Sequence, residues 1–261
     1  NYFYMHIGIW HLGREAYYPE TQGYDVNIGG TYWGAPATFY YPYRGPWSKN
    51  DPELRYVPVG PGQPGDYLTD KLTDHALRLI EEQKDRPFFL HLAYNAPHFG
   101  KGWDPTKKLA VNIMQPPPRD LARAGHIKDP IRRAFAAKVM NMDDGIGRVL
   151  AALKANGQEK NTFVIFMTDH GGDCEFGGSN KPFRGEKATL FEGGIRVPCL
   201  MRWPGKIKAD SSSNTVLSAL DLFPTLCALA KVEVAAHQLD GEDIIGILTG
   251  IQKSLPSREL L

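Results

Sequence analysis

A short stretch in the second half of the chain, "FVIFMTDHGGD", ends an apolar run with a carboxylate, an imidazole and two glycines. Asp169 and His170 offer an oxygen and a nitrogen that could bind one cation, and the glycines that follow let the backbone approach a ligand closely. The alternative is a turn in which Asp169 caps the next segment. The pair by itself leaves both interpretations open.

A group of cationic residues follows in "GGSNKPFRGEKATLFEGGIRVPCLMRWPG". Lys181, Arg184, Lys187 and Arg196 lie there among glycines, which is more positive charge than a surface turn requires. Such a combination favours binding of an oxyanion, sulfate or phosphate. We therefore expect a cation-rich anion pocket close to Asp169 and His170 in the sequence.

The elements that would position these residues follow from the hydrophobic pattern. Amphipathic helices are predicted from Tyr67 to Glu82 and from about Ile131 to Ala155, the second capped at its carboxyl end by "ANG". Strands are predicted in "PFFLHLAYNAPHF", "TFVIFMTD" and "VPCLMRW". Strands that alternate with helices predict an α/β fold with a mostly parallel sheet flanked by helices. Because ligands bind beyond the carboxyl ends of such strands, His98 should converge on Asp169 and His170.

An irregular segment between residues 17 and 65 is rich in Tyr, Gly, Pro and Trp. Structureless segments of this length inside a compact domain are often functional. The flat rings between Tyr32 and Trp47 suit stacking against a sugar or an aryl group. A packed loop that covers the edge of the core is the alternative.

The composition excludes several classes of partner. Thirty basic and 29 acidic residues give a net charge of +1, so neither a nucleic acid nor an anionic membrane surface is expected as a partner. No window reaches the roughly 18 to 20 consecutive apolar residues that a membrane span requires. The three cysteines have no spacing typical of a metal site or a disulfide framework.

Six stretches, in order along the chain, resemble the sulfatase family. They are "IGIWHLG", "QGYDVNIGG", "PFFLHLAYNAPH", "NMDDGIGRVLAAL", "KPFRGEKATLFEGGIRVP" followed by "WPG", and "SALDLFPTLCALAKV" with "LDGEDIIGILTG". The resemblance implies the alkaline-phosphatase-like α/β sandwich and hydrolysis of sulfate esters. It also implies a small-molecule or carbohydrate sulfate ester as substrate. Family members are often secreted, periplasmic or lysosomal, but this sequence does not indicate a compartment or an oligomeric state.

The resemblance also implies roles for individual residues. Asp169 and His170 would bind a divalent cation, usually calcium in this family. Lys187 would bridge the substrate and the nucleophile, His98 would contact the sulfate or protonate the leaving oxygen, and His11 would orient the nucleophile. Lys181 and Arg184 are further substrate-binding candidates. These groups would stabilise the charge that develops on the substrate oxygens.

The sequence departs from the family in two places that matter for chemistry. The family nucleophile is a formylglycine made in a Cys-x-Pro-x-Arg motif, and none of Cys174, Cys199 and Cys227 lies in one. The paired aspartates that complete the family metal site would precede Asn1. Ile9 also stands where the family carries a lysine.

We therefore expect residues 1–261 to form the central and carboxy-terminal part of a sulfatase large domain. The part that bears the formylglycine and a small carboxy-terminal subdomain would lie outside the sequence. The leading hypothesis is a sulfuric ester hydrolase with little formylglycine-type turnover in this chain alone. Two alternatives are a phosphodiester or phosphotriester hydrolase that uses a metal-bound water, and a non-catalytic protein that binds sulfated ligands.

Overall fold

The computed structural model describes residues 2–46, 54–234 and 239–258. The chain divides into two compact units: Asn1–Gln158 with Thr168–Pro198, and Glu159–Met167 with Cys199–Leu261. Trp47, at the end of the predicted aromatic segment, lies outside the described residues. A helix with the length and apolar character of a bilayer span is not found in the described ranges.

Three parallel strands form the sheet of the first unit. They are β1 (Phe3–Gly8), β2 (Val26–Ile28) and β5 (Phe88–Ala93), in the order β2-β1-β5. Because side chains alternate along a strand, Met5 and Ile7 enter the hydrophobic core while His6 lies on the opposite face of the sheet. This sheet confirms the prediction of a parallel α/β arrangement.

Among the described residues, four α-helices belong to the same unit: α1 (Leu68–Glu82), α2 (Pro118–Arg123), α3 (Pro130–Ala155) and α4 (Glu192–Ile195). The two long helices match the predicted ranges to within one residue. Asp129 is the N-cap of α3, and its side chain accepts a hydrogen bond from the Arg132 amide. Asn156 is the C-cap, and Gly157 then adopts a left-handed conformation with φ of 71°, as "ANG" predicted.

The buried face of α3 includes polar residues as well as apolar ones. The fully buried positions are Ala137, Lys138, Asn141, Gly145 and Leu153, whereas Ile131 is exposed. Gly145 lies against α1 so closely that a Cβ there would come within 2.6 Å of the Thr73 hydroxyl. The buried positions of α3 are therefore mostly small or polar, and one of them is a lysine.

Two small antiparallel pairs of strands in this unit were not predicted. β3 (Arg44–Gly45) pairs with β4 (Arg55–Tyr56), and β6 (Gly100–Asp104) pairs with β7 (Leu109–Ile113). The second hairpin follows the His98 turn directly. Its glycines and charged residues hide the alternation of apolar and polar positions that normally indicates a strand.

The second unit contains an antiparallel strand pair and two helices. The elements are β8 (Val164–Met167), β9 (Cys199–Arg202), α5 (Leu222–Ala230) and α6 (Ile245–Thr249). A parallel pair would need a crossover element, and only the four-residue helix α4 lies between β8 and β9. Asp221 is fully buried and receives a hydrogen bond of 2.7 Å from Arg258.

Candidate functional site

The turn after β5 carries His98. The amide of His98 donates to the Asn95 carbonyl at 3.0 Å, and the ring Nδ1 lies 2.8 Å from the Phe99 carbonyl oxygen. A carbonyl oxygen can only accept, so Nδ1 bears the proton and Nε2 of the neutral ring has a lone pair. That lone pair lies 3.1 Å from Nζ of Lys187, which donates to it. The structure therefore joins two predicted site residues that are 89 positions apart.

Burial lowers the pKa of His98, and the hydrogen bond to Phe99 opposes that shift. Lys187, and Lys138 when it is charged, lower it further, whereas Asp169 raises it. The imidazole is thus held in the neutral form that accepts from Lys187. This arrangement presents an ammonium group that an entering anion could share.

The glycine-rich segment, Gly171–Gly194, positions Lys187. Asn180 fixes its start, because the side-chain amide donates to the Gly172 carbonyl at 2.8 Å and accepts from the Gly172 amide at 2.7 Å. The Glu186 carboxylate accepts from the Cys174 amide at 2.8 Å. Lys187 therefore belongs to a segment whose conformation is held by several internal hydrogen bonds.

Glycines at both ends allow the segment to close on itself. The Gly171 amide donates to the Gly194 carbonyl at 2.9 Å, and the Gly193 amide donates to the Arg184 carbonyl at 2.7 Å. A Cβ on Gly171 would lie 1.8 Å from the Gly193 oxygen, and one on Gly193 would lie 2.2 Å from the Gly185 oxygen. Only glycine permits backbone contacts this close.

Asp169 and His170 lie next to each other at the start of this region. The His170 Nδ1 is 2.9 Å from the Gly171 carbonyl oxygen, so its Nε2 has the lone pair in the neutral ring. Nε2 in turn lies 3.2 Å from Oδ2 of Asp169. Two acceptor atoms at this distance repel unless a proton or a metal ion lies with them, and a backbone carbonyl behind a ligating histidine is usual. The pair therefore fits a shared cation.

The described residues nevertheless contain no group of three or more His, Cys, Asp or Glu side chains arranged for a metal. Asp169 is largely exposed, with 83% of its side-chain surface accessible. A stable divalent site needs about four to eight ligands. This part of the chain supplies at most two of them.

The remaining predicted site residues are His11, Lys181 and Arg184. His11 is exposed in a left-handed conformation with φ of 57°, its amide donates to the Thr31 carbonyl, and its ring lies over Gly34. Among the described residues, His11 forms no hydrogen bond with His98 or Lys187. Lys181 is exposed, and the exposed Arg184 places its guanidinium 3.8 Å from the centre of the Phe191 ring.

Two residues near the site were not selected from the sequence. Asn180 could have been recognised as the one amide in "GGSNKPF" able to bind both backbone groups of a neighbouring residue. Lys138 was missed because a lysine on an amphipathic helix is ordinarily expected to face solvent. A lysine three residues before Asn141 and seven before Gly145, on the same helix face, was the available signal.

The model of the sulfatase family matches residues 3–232. The chain is 35% identical over 199 residues to the mouse steryl-sulfatase, covering 72% of this chain and 29% of that protein. It is 31% identical to the human N-acetylgalactosamine-6-sulfatase, covering 93% of this chain and 45% of that protein. The chain thus spans less than half the length of these curated relatives.

Solved structures of other proteins are also similar to this chain. The crystal structure of Ps i-CgsB in complex with k-i-k-neocarrahexaose is 31% identical, with a TM-score of 0.79, and covers 99% of this chain and 59% of that one. The structure of BT4656 in complex with its substrate D-glucosamine-2-N,6-O-disulfate has a TM-score of 0.65 at 20% identity, covering 98% and 63%. The alkaline-phosphatase-like fold is therefore confirmed.

Proposed function

The chain belongs to the sulfatase family, and we propose that the protein hydrolyses sulfate esters with this chain providing the anion pocket. The hydrogen bond between Lys187 and the bare Nε2 of His98 is the observation that supports this most directly. An ammonium held by a neutral imidazole can move to a sulfate oxygen without leaving a buried charge unpaired. Residues 1–261 would be the central and carboxy-terminal part of the large domain.

Within this proposal each group has a defined task. Lys187 binds a non-bridging oxygen of the sulfate, and His98 fixes the position of the ammonium. His98 can pass a proton to the leaving oxygen only after Nε2 has taken one up, because Nδ1 is engaged with Phe99. His11 would act on the nucleophile, and Lys181 and Arg184 would attract the anionic part of the substrate from exposed positions.

The family generally uses a metal ion, and Asp169 and His170 are the residues of this chain that would hold it. Bound there, a divalent cation would neutralise the sulfate and its nucleophile. Calcium is the ion that the family resemblance favours. The single nitrogen ligand departs from the all-oxygen sets that calcium prefers, so metal analysis of the purified protein is required.

A carbohydrate sulfate is the proposed substrate class. Ps i-CgsB was crystallised in complex with k-i-k-neocarrahexaose, and the structure of BT4656 contains its substrate D-glucosamine-2-N,6-O-disulfate. In this chain Tyr32 and Trp33 lie side by side with ring centres 4.4 Å apart, and His11 is attached to the same loop through Thr31. Aromatic side chains in this position suit a sugar leaving group.

The nucleophile is not in this sequence as a formylglycine motif. Cys174 and Cys199 are exposed and Cys227 is half-buried, and none is part of Cys-x-Pro-x-Arg. We accordingly expect little turnover from this polypeptide alone. A protein that contains this chain together with the motif should be active.

The test is hydrolysis of an aryl sulfate and of the matching aryl phosphate by that longer protein, with and without a chelator. Sulfate ester turnover that is lost with the chelator, and reduced in Asp169→Ala but not in the exposed control Asp85→Ala, would support the proposal. Preferential phosphate ester turnover would support the metal-water alternative instead. Binding of a sulfated sugar without any turnover would support the non-catalytic alternative.

A further inference from the structure

Lys138 is a buried lysine without a hydrogen-bond partner. It lies on α3, its side chain is fully inaccessible to solvent, and no acceptor among the described residues contacts its Nζ. Lysine is almost never fully buried in proteins unless it is paired. An amine in this position therefore requires an explanation beyond packing.

Aromatic rings surround the amine. Nζ lies 3.0 Å from the centre of the Phe39 ring and 5.9 Å from that of Tyr67, and these two rings stack on each other. An ammonium is attracted to such faces, but they do not replace its lost water. Burial accordingly lowers the pKa of Lys138 well below its ordinary value.

The same aromatic cluster underlies the turn that carries His98. Phe39, Tyr67 and Ala96 belong to one buried cluster, and Ala96 is two residues before His98. A positive charge on Lys138 lowers the pKa of the His98 ring and so opposes its protonation. Electrostatic coupling is reciprocal, so a negative charge brought to His98 must favour the charged form of Lys138.

We propose that Lys138 adds a positive charge to the anion pocket when the pocket is occupied. Its buried, unpartnered amine takes a proton from solvent when sulfate or a sulfate ester binds at His98 and Lys187. The nitrogen lone pair of the amine forms the new N–H bond, and no bond to the ligand is made or broken. This inference rests on the proposed function of the same site. Lys138 acts on the anion through space, as a positioning residue rather than a catalytic one.

The ionisable groups around Lys138 do not already supply a counter-charge. Asp70 on α1 accepts from Asn141, and Asp120 on α2 is paired with Arg119 and Arg123. Neither carboxylate forms an ion pair with Lys138 among the described residues. The other titratable groups linked to Lys138 are Tyr67, whose burial raises its pKa, and His98. An anion in the pocket would be the missing partner.

The test is binding of inorganic sulfate to the full-length protein by calorimetry in two buffers of different ionisation enthalpy, between pH 7 and 9. Sulfate itself does not titrate in this range. We expect net proton uptake and an affinity that falls as the pH rises, by up to about tenfold per unit. In Lys138→Met both effects should disappear, whereas the exposed control on the same helix, Lys154→Met, should behave like the wild type.

Melting temperatures show whether the variants fold. Lys138→Met removes an unpaired buried amine and should melt above the wild type, so a loss of proton uptake cannot be attributed to unfolding. Sulfate binding without proton uptake in the wild type, or with equal uptake in Lys138→Met, would overturn the role of Lys138. In that case turnover of an aryl sulfate would still support the proposed function. No sulfate binding by the wild type would overturn both.

Discussion

His6 and His98 have similar hydrogen-bonding arrangements but different partners at the second ring nitrogen. His6 on β1 places Nε2 3.2 Å from the Gly8 carbonyl oxygen and Nδ1 3.1 Å from Nδ1 of His91 on β5. His98 uses the opposite nitrogens, with Nδ1 on a carbonyl oxygen and Nε2 3.1 Å from the Lys187 ammonium. In each, a backbone oxygen fixes the tautomer and burial favours the neutral ring.

The partner decides what each ring can do. His6 is enclosed by Trp10, Tyr24 and His91 on the face of the sheet, so its lone pair meets another ring of the same framework. His98 lies past the end of β5, and its lone pair meets a cation from the glycine-rich segment. A buried neutral histidine is therefore not by itself evidence of a site. The element that supplies its partner is the informative observation.

The largest expected effect on turnover comes from replacing Lys187, the partner of His98. Lys187→Met in the full-length protein should reduce turnover of a sulfate ester by about 10²–10³-fold, because one donor to the developing oxyanion is removed. His6→Gln should retain turnover to within a few fold. Steady-state kinetics would measure both, with the exposed Lys206→Met as control. Equal losses in the two variants would contradict the distinction between the pairs.

His6, the histidine on the sheet, should instead make the largest contribution to the loss of folding stability at acidic pH. Burial, together with the neighbouring His91, lowers the pKa of His6 to about 4 from 6.5. The unfolded chain therefore binds more protons between these values, and stability falls as the pH drops from 6.5 towards 4. The expected total loss is about 3 kcal/mol.

Urea unfolding at several pH values would measure this loss. His6→Leu should flatten the acid side of the profile, whereas the exposed control His126→Leu should leave it unchanged. An unaltered profile in His6→Leu would show that other groups control the acid response.

The glycine-rich segment can be disturbed without touching either histidine. Gly193→Ala places a Cβ 2.2 Å from the Gly185 oxygen, so the backbone that carries Lys187 must move. We expect a destabilisation of about 1–3 kcal/mol and a loss of turnover. Gly147→Ala on α3 is the matched control, since no atom lies within 4 Å of its Cβ. That control should be neutral or slightly stabilising.

The smallest effect lies at the start of α3, away from both histidines. Asp129→Ala removes the acceptor for the Arg132 amide, a hydrogen bond of 2.6 Å. Loss of such a helix cap costs about 1 kcal/mol. Thermal unfolding would show it, and turnover at temperatures well below the transition should not change. A large loss of turnover would mean that this helix end takes part in the site.

Much of the framework could be predicted because it depends on local patterns. The apolar period of α1 and α3 and the glycine after Asn156 gave the helix bounds to within one residue. The β6–β7 hairpin was missed because "GKGWD" has no alternation of apolar and polar residues. Burial of Lys138 could not be predicted either, since it depends on contacts with Phe39 and Tyr67, which are far from it in the sequence.

The sequence predicts the members of the candidate site, but it does not predict which of them form hydrogen bonds with each other. Motif resemblance selected His98 and Lys187, but a hydrogen bond across 89 residues depends on how the glycine-rich segment closes. Closure in turn depends on the amide of Asn180, a residue that carries no chemistry of its own. The roles of His11, Lys181 and Arg184 stay predictions, because all three side chains are exposed and none forms a hydrogen bond with His98 or Lys187 in the structure.

The contacts among Gly171, Gly193 and Gly194 also limit how this protein can evolve. Backbone meets backbone at these glycines, so no single larger residue can be accepted there without moving Lys187. Variation is expected instead where side chains point to solvent, at Glu175 and Ser179. A search for variants with altered substrate preference should therefore randomise those two positions and keep the glycines constant.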